Sequence, residues 1–120
     1  MREIKFKGWH KPTKKMIDLY KITPLALDAG LKQDGIFLPF GDDVVLLQYT
    51  GFKDKNGKEI YDGDILGMTS YMDWVVSWRD GQFRAANVSN QYNSFILESD
   101  ACKMRTIKGN IYETPKLLKF

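Results

Sequence analysis

Apolar and polar residues alternate along much of this chain with the period of two that marks strands, not the longer period of a helix. At the start, Ile4, Phe6 and Gly8 fall on one side, with Glu3, Lys5 and Lys7 on the other, the pattern of a half-buried strand. Trp9-His10-Lys11-Pro12-Thr13-Lys14 interrupts it with a proline and polar residues, as a turn does. Lys15-Met16-Ile17-Asp18-Leu19-Tyr20 reads as the returning strand, so residues 3–20 predict an N-terminal hairpin. Thr23-Pro24 is a helix-start signal, but Gly30 leaves room only for a short helix over Leu25-Ala26-Leu27-Asp28-Ala29.

Turn signals then recur at short intervals. Gln33-Asp34-Gly35 and Phe40-Gly41-Asp42-Asp43 precede an apolar run, Val44 to Tyr49, that predicts a strand buried on both faces. The run Gln48 to Ile65 holds a hairpin turn, Asp54-Lys55-Asn56-Gly57, because Asn and Gly tolerate positive φ. It also holds a second turn, Tyr61-Asp62-Gly63-Asp64, that opens into the apolar strand Asp64-Ile65-Leu66-Gly67-Met68. Trp74-Val75-Val76-Ser77-Trp78, Gln82-Phe83-Arg84-Ala85 and Phe95-Ile96-Leu97-Glu98 follow as strands, the first two joined by Arg79-Asp80-Gly81. Met104-Arg105-Thr106-Ile107 and Asn110-Ile111-Tyr112 flank Lys108-Gly109, Thr114-Pro115 ends the strand pattern, and Lys116 to Phe120 reads as a terminal helical turn.

These elements predict a mainly β chain: a small antiparallel barrel-like or sandwich fold with an N-terminal hairpin and one short helix. One domain is expected over residues 1–120, a hairpin portion at 1–40 packing on a barrel-like portion at 41–120. Asp62 to Leu66, followed by Val75 to Trp78 and Phe83, looks similar to small SH3-like barrels, an analogy of architecture that licenses no function.

Composition narrows the class further. With 43% hydrophobic, 28% charged and 13% aromatic residues the chain is globular, and its rings supply much of a compact core. No apolar run approaches the roughly 18 residues of a membrane span, and the start lacks a signal-peptide core, so the expectation is a soluble cytoplasmic protein without membrane contact. Cys102 stands alone, which excludes an internal disulfide and reads as a small buried hydrophobe. The net charge of +3 divides into +5 over residues 1–21, −6 over 22–102 and +4 over 103–120. Basic ends around an acidic middle suit mutual attraction, within a monomer or between protomers, or a basic surface for nucleic acid.

Most chemistry fails on residue supply. One His and one Cys, over ninety positions apart, make no zinc or iron cluster. Asp54, Glu59, Asp62 and Asp64 do not follow the spacing of a calcium loop. His10, the single histidine, sits in a basic turn and reads as a surface residue rather than part of a catalytic triad. No phosphate-binding glycine signature occurs. The pairs Asp42/Asp43 and Asp62/Asp64 lie beside glycines and read as turn formers, so neither an enzyme nor a cofactor is expected. Nucleic acid is the more serious candidate ligand. Lys5, Lys7, Trp9, Lys11, Lys14 and Lys15, with Phe6 among them, match the recipe of lysines tracking phosphates and rings stacking on bases. The competing reading is a basic strand edge with Phe6 and Trp9 in the core. Trp74 and Trp78, at i and i+4, lie on one strand face and read as core, with an exposed aromatic platform or subunit contact as the alternative.

The run Gln48 to Ile65 resembles the YopX family of small phage and prophage proteins. Arg2 to Trp9 is similar to the family's opening, Lys14-Lys15-Met16 follows at a matching distance, and Gly109 to Leu118 is similar to its closing block. Val76-Ser77-Trp78 before Gly81-Gln82-Phe83 also fits, leaving residues 20–47 and 84–103 less distinctive. Gly8 and His10 depart from the Ala and Asp that usually flank Trp in the opening, which weakens any role for an acid at that turn. The resemblance implies a phage or prophage setting in a bacterial host, a largely β fold and a tendency to form homo-oligomers. It carries over no catalytic residue. The expectation is a non-enzymatic accessory protein that self-associates or binds an unknown phage or host protein, with a nucleic-acid-binding module as the alternative.

Overall fold

The computed structural model describes residues 5–21, 30–33, 36–39, 44–68 and 72–117, with backbone alone at 17–21, 30–33 and 36–39. The chain is mainly β, as its alternation predicts. Strands β1 (Phe6–His10), β2 (Lys15–Lys21), β3 (Gly30–Gln33), β4 (Ile36–Pro39), β5 (Val44–Lys53) and β6 (Glu59–Tyr61) make an antiparallel sheet in the order β4-β3-β2-β1-β5-β6. Strands β7 (Asp64–Gly67), β8 (Asp73–Arg79), β9 (Gln82–Asn87), β10 (Ser94–Ile96) and β11 (Thr106–Asn110) make a second, in the order β10-β9-β8-β7-β11, that curls into a half-barrel. The described helix is α1 (Ser99–Lys103), and Pro115–Leu117 forms a 3-10 turn. The expected short helix over 25–29, the turn at 40–43 and the Asp42/Asp43 pair lie outside the described residues.

Local chemistry explains the hairpins. Asp80 and Gly81 both take positive φ, +52° and +80°, between β8 and β9, a pair of values that suits the right-handed twist of the strands they join. The half-barrel encloses Ile60, Leu66, Trp74, Val76, Phe83, Ala85, Leu97 and Cys102 as one apolar cluster. Burying each large member contributes about 1.5–3 kcal/mol. A smaller cluster of Ile65, Val75 and Val88 lies beneath Ile111 and Leu117.

Three expectations about faces need correction. First, the side of β1 that carries Lys5 and Lys7 is only partly open to water and lies against neighbouring rings. Lys5 Nζ lies 5.7 Å from the Tyr49 ring centroid, Lys7 Nζ 4.3 Å from that of Tyr61, and the Trp9 and Tyr112 rings are 5.8 Å apart. The ammonium heads themselves lie over the tyrosine rings, as cation–π contacts. Second, β5 is not buried on both faces: Leu47 is 2% exposed but Leu46 is 44% exposed. Third, Trp74 is core, edge-on to Phe95, whereas Trp78 is 49% exposed against Phe83 near the β8–β9 turn. Both tryptophans share a face, but β8 runs on past the core it covers.

Candidate functional site

The run Gln48 to Ile65 joins the two sheets, and a cleft opens beside it. At its tip, Asp54 is buried and accepts N–H bonds from Asn56 and Lys58 at Oδ1 and from Ile107 at Oδ2, at 2.9, 2.9 and 3.0 Å. Lys55 N–H donates to the Arg105 carbonyl at 2.8 Å, completing the link from the β5–β6 hairpin to β11. Thr50, also buried, donates through Oγ1 to the Ile60 carbonyl and accepts from Phe52 N–H. At the other end, Gly63 takes φ +90°, and its missing Cβ leaves room for the Tyr112 ring, which would stand 2.9 Å from that atom. Trp9 packs on the same ring, so one tyrosine clamps β1 to the half-barrel.

The cleft encloses about 180 Å³ and is lined by Lys7 and Met16, Leu47, Lys58, Tyr61 and Asp64, then Ile107 to Asn110 and Glu113. Its lining mixes the apolar Met16, Leu47 and Ile107 with charged and polar side chains. Asp64 is 9% exposed, and its Oδ2 accepts the Tyr61 N–H at 2.8 Å. Burial pushes its carboxyl up to about 6, against the opposing pull of that N–H and of Lys7 and Lys58, with Asp62 adding a further upward push. Asp62 is also raised by burial, but it does not line the cleft. Asn110 accepts the Tyr112 and Glu113 N–H groups at Oδ1 and donates Nδ2 to Glu113 at 2.7 Å. Lys108 donates to Asp73 at 2.8 Å across Gly67, where any side chain would collide with both partners.

Of the predicted nucleic-acid residues, the structure brings Lys7 into the cleft and Lys5 beside Glu59. The Lys5 ammonium, 2.6 Å from Glu59 Oε2, holds that carboxyl below its usual range. Trp9 is buried. Lys11, Lys14 and Lys15 are exposed at the β1–β2 turn, apart from the cleft lining, where His10 Nδ1 meets Thr13 Oγ1 at 2.7 Å. Cys102 is buried as expected, and burial pushes its thiol up to about 11. Among the described residues no three His, Cys, Asp or Glu side chains gather to hold an ion, and no helix is long and apolar enough to cross a membrane. Sequence reasoning treated Asp54 and Asp64 alike as turn acids. Three N–H donors against one, together with the cleft, separate them.

The family model of the YopX protein matches residues 5–119. No curated protein matches the chain. Among solved structures, the chain is similar to the crystal structure of protein EF1440 from Enterococcus faecalis, with a TM-score of 0.69 and 22% identity over 98% of this chain and 99% of that one. At that identity the likeness speaks for the fold alone.

Proposed function

The chain belongs to the YopX family, and from that premise we propose that it is a non-enzymatic accessory protein of a phage or prophage, working in the bacterial cytoplasm by association with protein, first with a second copy of itself. The supporting observation is the end of the six-stranded sheet. Among the described residues no strand pairs with the far side of β4, whose sequence Ile36-Phe37-Leu38-Pro39 carries no charge. Edge strands are ordinarily guarded by lysine, bulges or proline, and here the proline comes only at the end. Two such edges related by a two-fold axis pair antiparallel and extend both sheets at once. Sedimentation velocity across micromolar concentrations tests this. Self-association that Phe37→Lys shifts toward monomer is expected, and a strict monomer at every concentration would overturn it.

A second reading, nucleic-acid binding through the β1–β2 hairpin, draws on the exposed Lys11, Lys14 and Lys15. The packing of Trp9 removes one ring from the stacking half of that recipe. Titration with short single- and double-stranded oligonucleotides should give salt-sensitive binding if the reading is right. An absence of binding even at low salt removes it.

A further inference from the structure

The cleft between the sheets holds more hydrogen-bond donors than the described residues use. Each ammonium carries three N–H bonds. Lys108 donates one to Asp73, Lys7 stands over the Tyr61 ring, and Lys58 forms no ion pair among the described residues. Each acid of the lining takes one donor: Glu113 Oε1 the Asn110 amide, and Asp64 Oδ2 the Tyr61 N–H. With Asp73 held on Lys108, three lysines meet three carboxylates, so protonation of Asp64 leaves the cleft one positive charge in surplus. The lysines come from β1, the loop after β5 and β11, so the fold itself brings them together.

We propose that this cleft is an oxyanion site, taking a phosphate-type group among Lys7, Lys58 and Lys108, with Asp64 in the same lining controlling when it fills. A tetrahedral oxyanion offers several acceptors to the ammonium donors of the lining and tolerates the apolar Met16, Leu47 and Ile107 beside them. The site stands independently of association through β4 and needs no second copy. Asp64 opposes the anion when ionised and becomes a donor when protonated. Groups that face it are Lys7 on β1, Lys58, Tyr61 on β6, the neighbouring Asp62, and Lys108 and Glu113 from β11 and the turn after it. Occupancy and protonation of Asp64 therefore favour each other.

The probe is sulfate, a dianion across the relevant range, titrated into the isotope-labelled full chain at constant ionic strength against chloride. Spectra are taken at about pH 5 and about pH 7.5, on either side of the Asp64 transition. Saturable shifts at the Tyr61, Gly109 and Asn110 amides are expected, with binding roughly fivefold tighter at the lower pH. Lys58→Ala, an exposed position, should weaken sulfate roughly tenfold. Asp64→Asn should abolish the pH dependence and bind at neutral pH as tightly as the parent does in acid. The proposal is overturned if the cleft amides show no saturable shift, if chloride reproduces it, or if Lys58→Ala leaves the curve unchanged. It also falls if Asp64→Asn keeps the parent's pH dependence. A short oligothymidine distinguishes the sources: displacement of sulfate assigns a phosphodiester, and saturable sulfate that the oligomer leaves in place assigns a free anion.

Discussion

Asp54 and Asp64 sit in the same run of sequence, each next to a tight turn and each buried. Burial pushes both carboxyls up, yet they end on opposite sides of the ordinary value. For Asp54 the N–H groups of Ile107, Lys58 and Asn56, with the Lys58 charge, outweigh the burial and leave it lowered. Asp64 has one N–H partner, from Tyr61, and stays raised at about 6. The comparison separates two uses of a buried acid. At the hairpin tip the carboxylate is a fastener, satisfied and fixed in its charge. In the cleft it is under-supplied and remains responsive to whatever approaches.

The largest expected effect falls at the fastener. Asp54→Ala strands three backbone N–H groups and cuts the tie from the hairpin to β11, so unfolding in urea should show a loss of about 4 kcal/mol. Asp54→Asn, which keeps one acceptor oxygen, should lose about half as much. A loss under about 1 kcal/mol for the alanine variant would mean that water replaces these bonds freely and would end the distinction.

Asp64 comes next, with the opposite sign. Its folded carboxyl holds a proton to higher pH than the unfolded chain does, so the native state binds more protons between the two values. Stability from this group is greatest below the ordinary 3.8, falls as pH climbs to about 6, and is flat above; the whole fall is on the order of 3 kcal/mol. Asp54 behaves in reverse: its contribution is complete above 3.8 and is lost as pH drops below it. Asp64→Asn should therefore erase the decline between pH 3.8 and about 6 and stabilise the neutral protein by about 1–2 kcal/mol. Urea midpoints measured across that range test it. An unchanged slope would show that the cleft is wetter than its geometry implies.

What could be read from the residues follows the same divide. The turns at Gly63 and Asp80-Gly81 were legible because positive φ selects residue types locally, and strand period selected the fold class for similar reasons. Cys102 was legible as core because a lone cysteine, with no second one to pair, behaves as a small apolar side chain. Which face of β1 turns inward was not legible. A period of two groups Lys5 with Lys7 and Trp9, but the tyrosines that receive them come from Tyr49, Tyr61 and Tyr112, at least 44 positions away. Trp74 and Trp78 were grouped correctly and still parted, since strand period carries no information on where the core ends. For the candidate site, the acids were visible as residues, while the difference between them depends on how many N–H groups each collects, one of Asp54's coming from Ile107, 53 positions away, and on the burial of Asp64.

The smallest effect gives the sharpest version of the comparison, because the two acids share one lysine and differ by another. Lys58 lowers both Asp54 and Asp64, whereas Lys7 acts on Asp64. Lys7→Met keeps an apolar stem over the Tyr61 ring and should change global stability by only about 0.5 kcal/mol. It removes a positive charge facing the cleft, so the Asp64 transition should move upward while the Asp54 transition stays in place. Lys58→Met should move both upward. Carbon-detected NMR of the carboxyl groups reads each transition separately. If Lys7→Met leaves Asp64 where it is, the cleft charges do not act as one electrostatic unit and burial alone holds that carboxyl high; if Asp54 moves with it, the tip and the cleft are one site and the contrast between fastener and responsive acid dissolves.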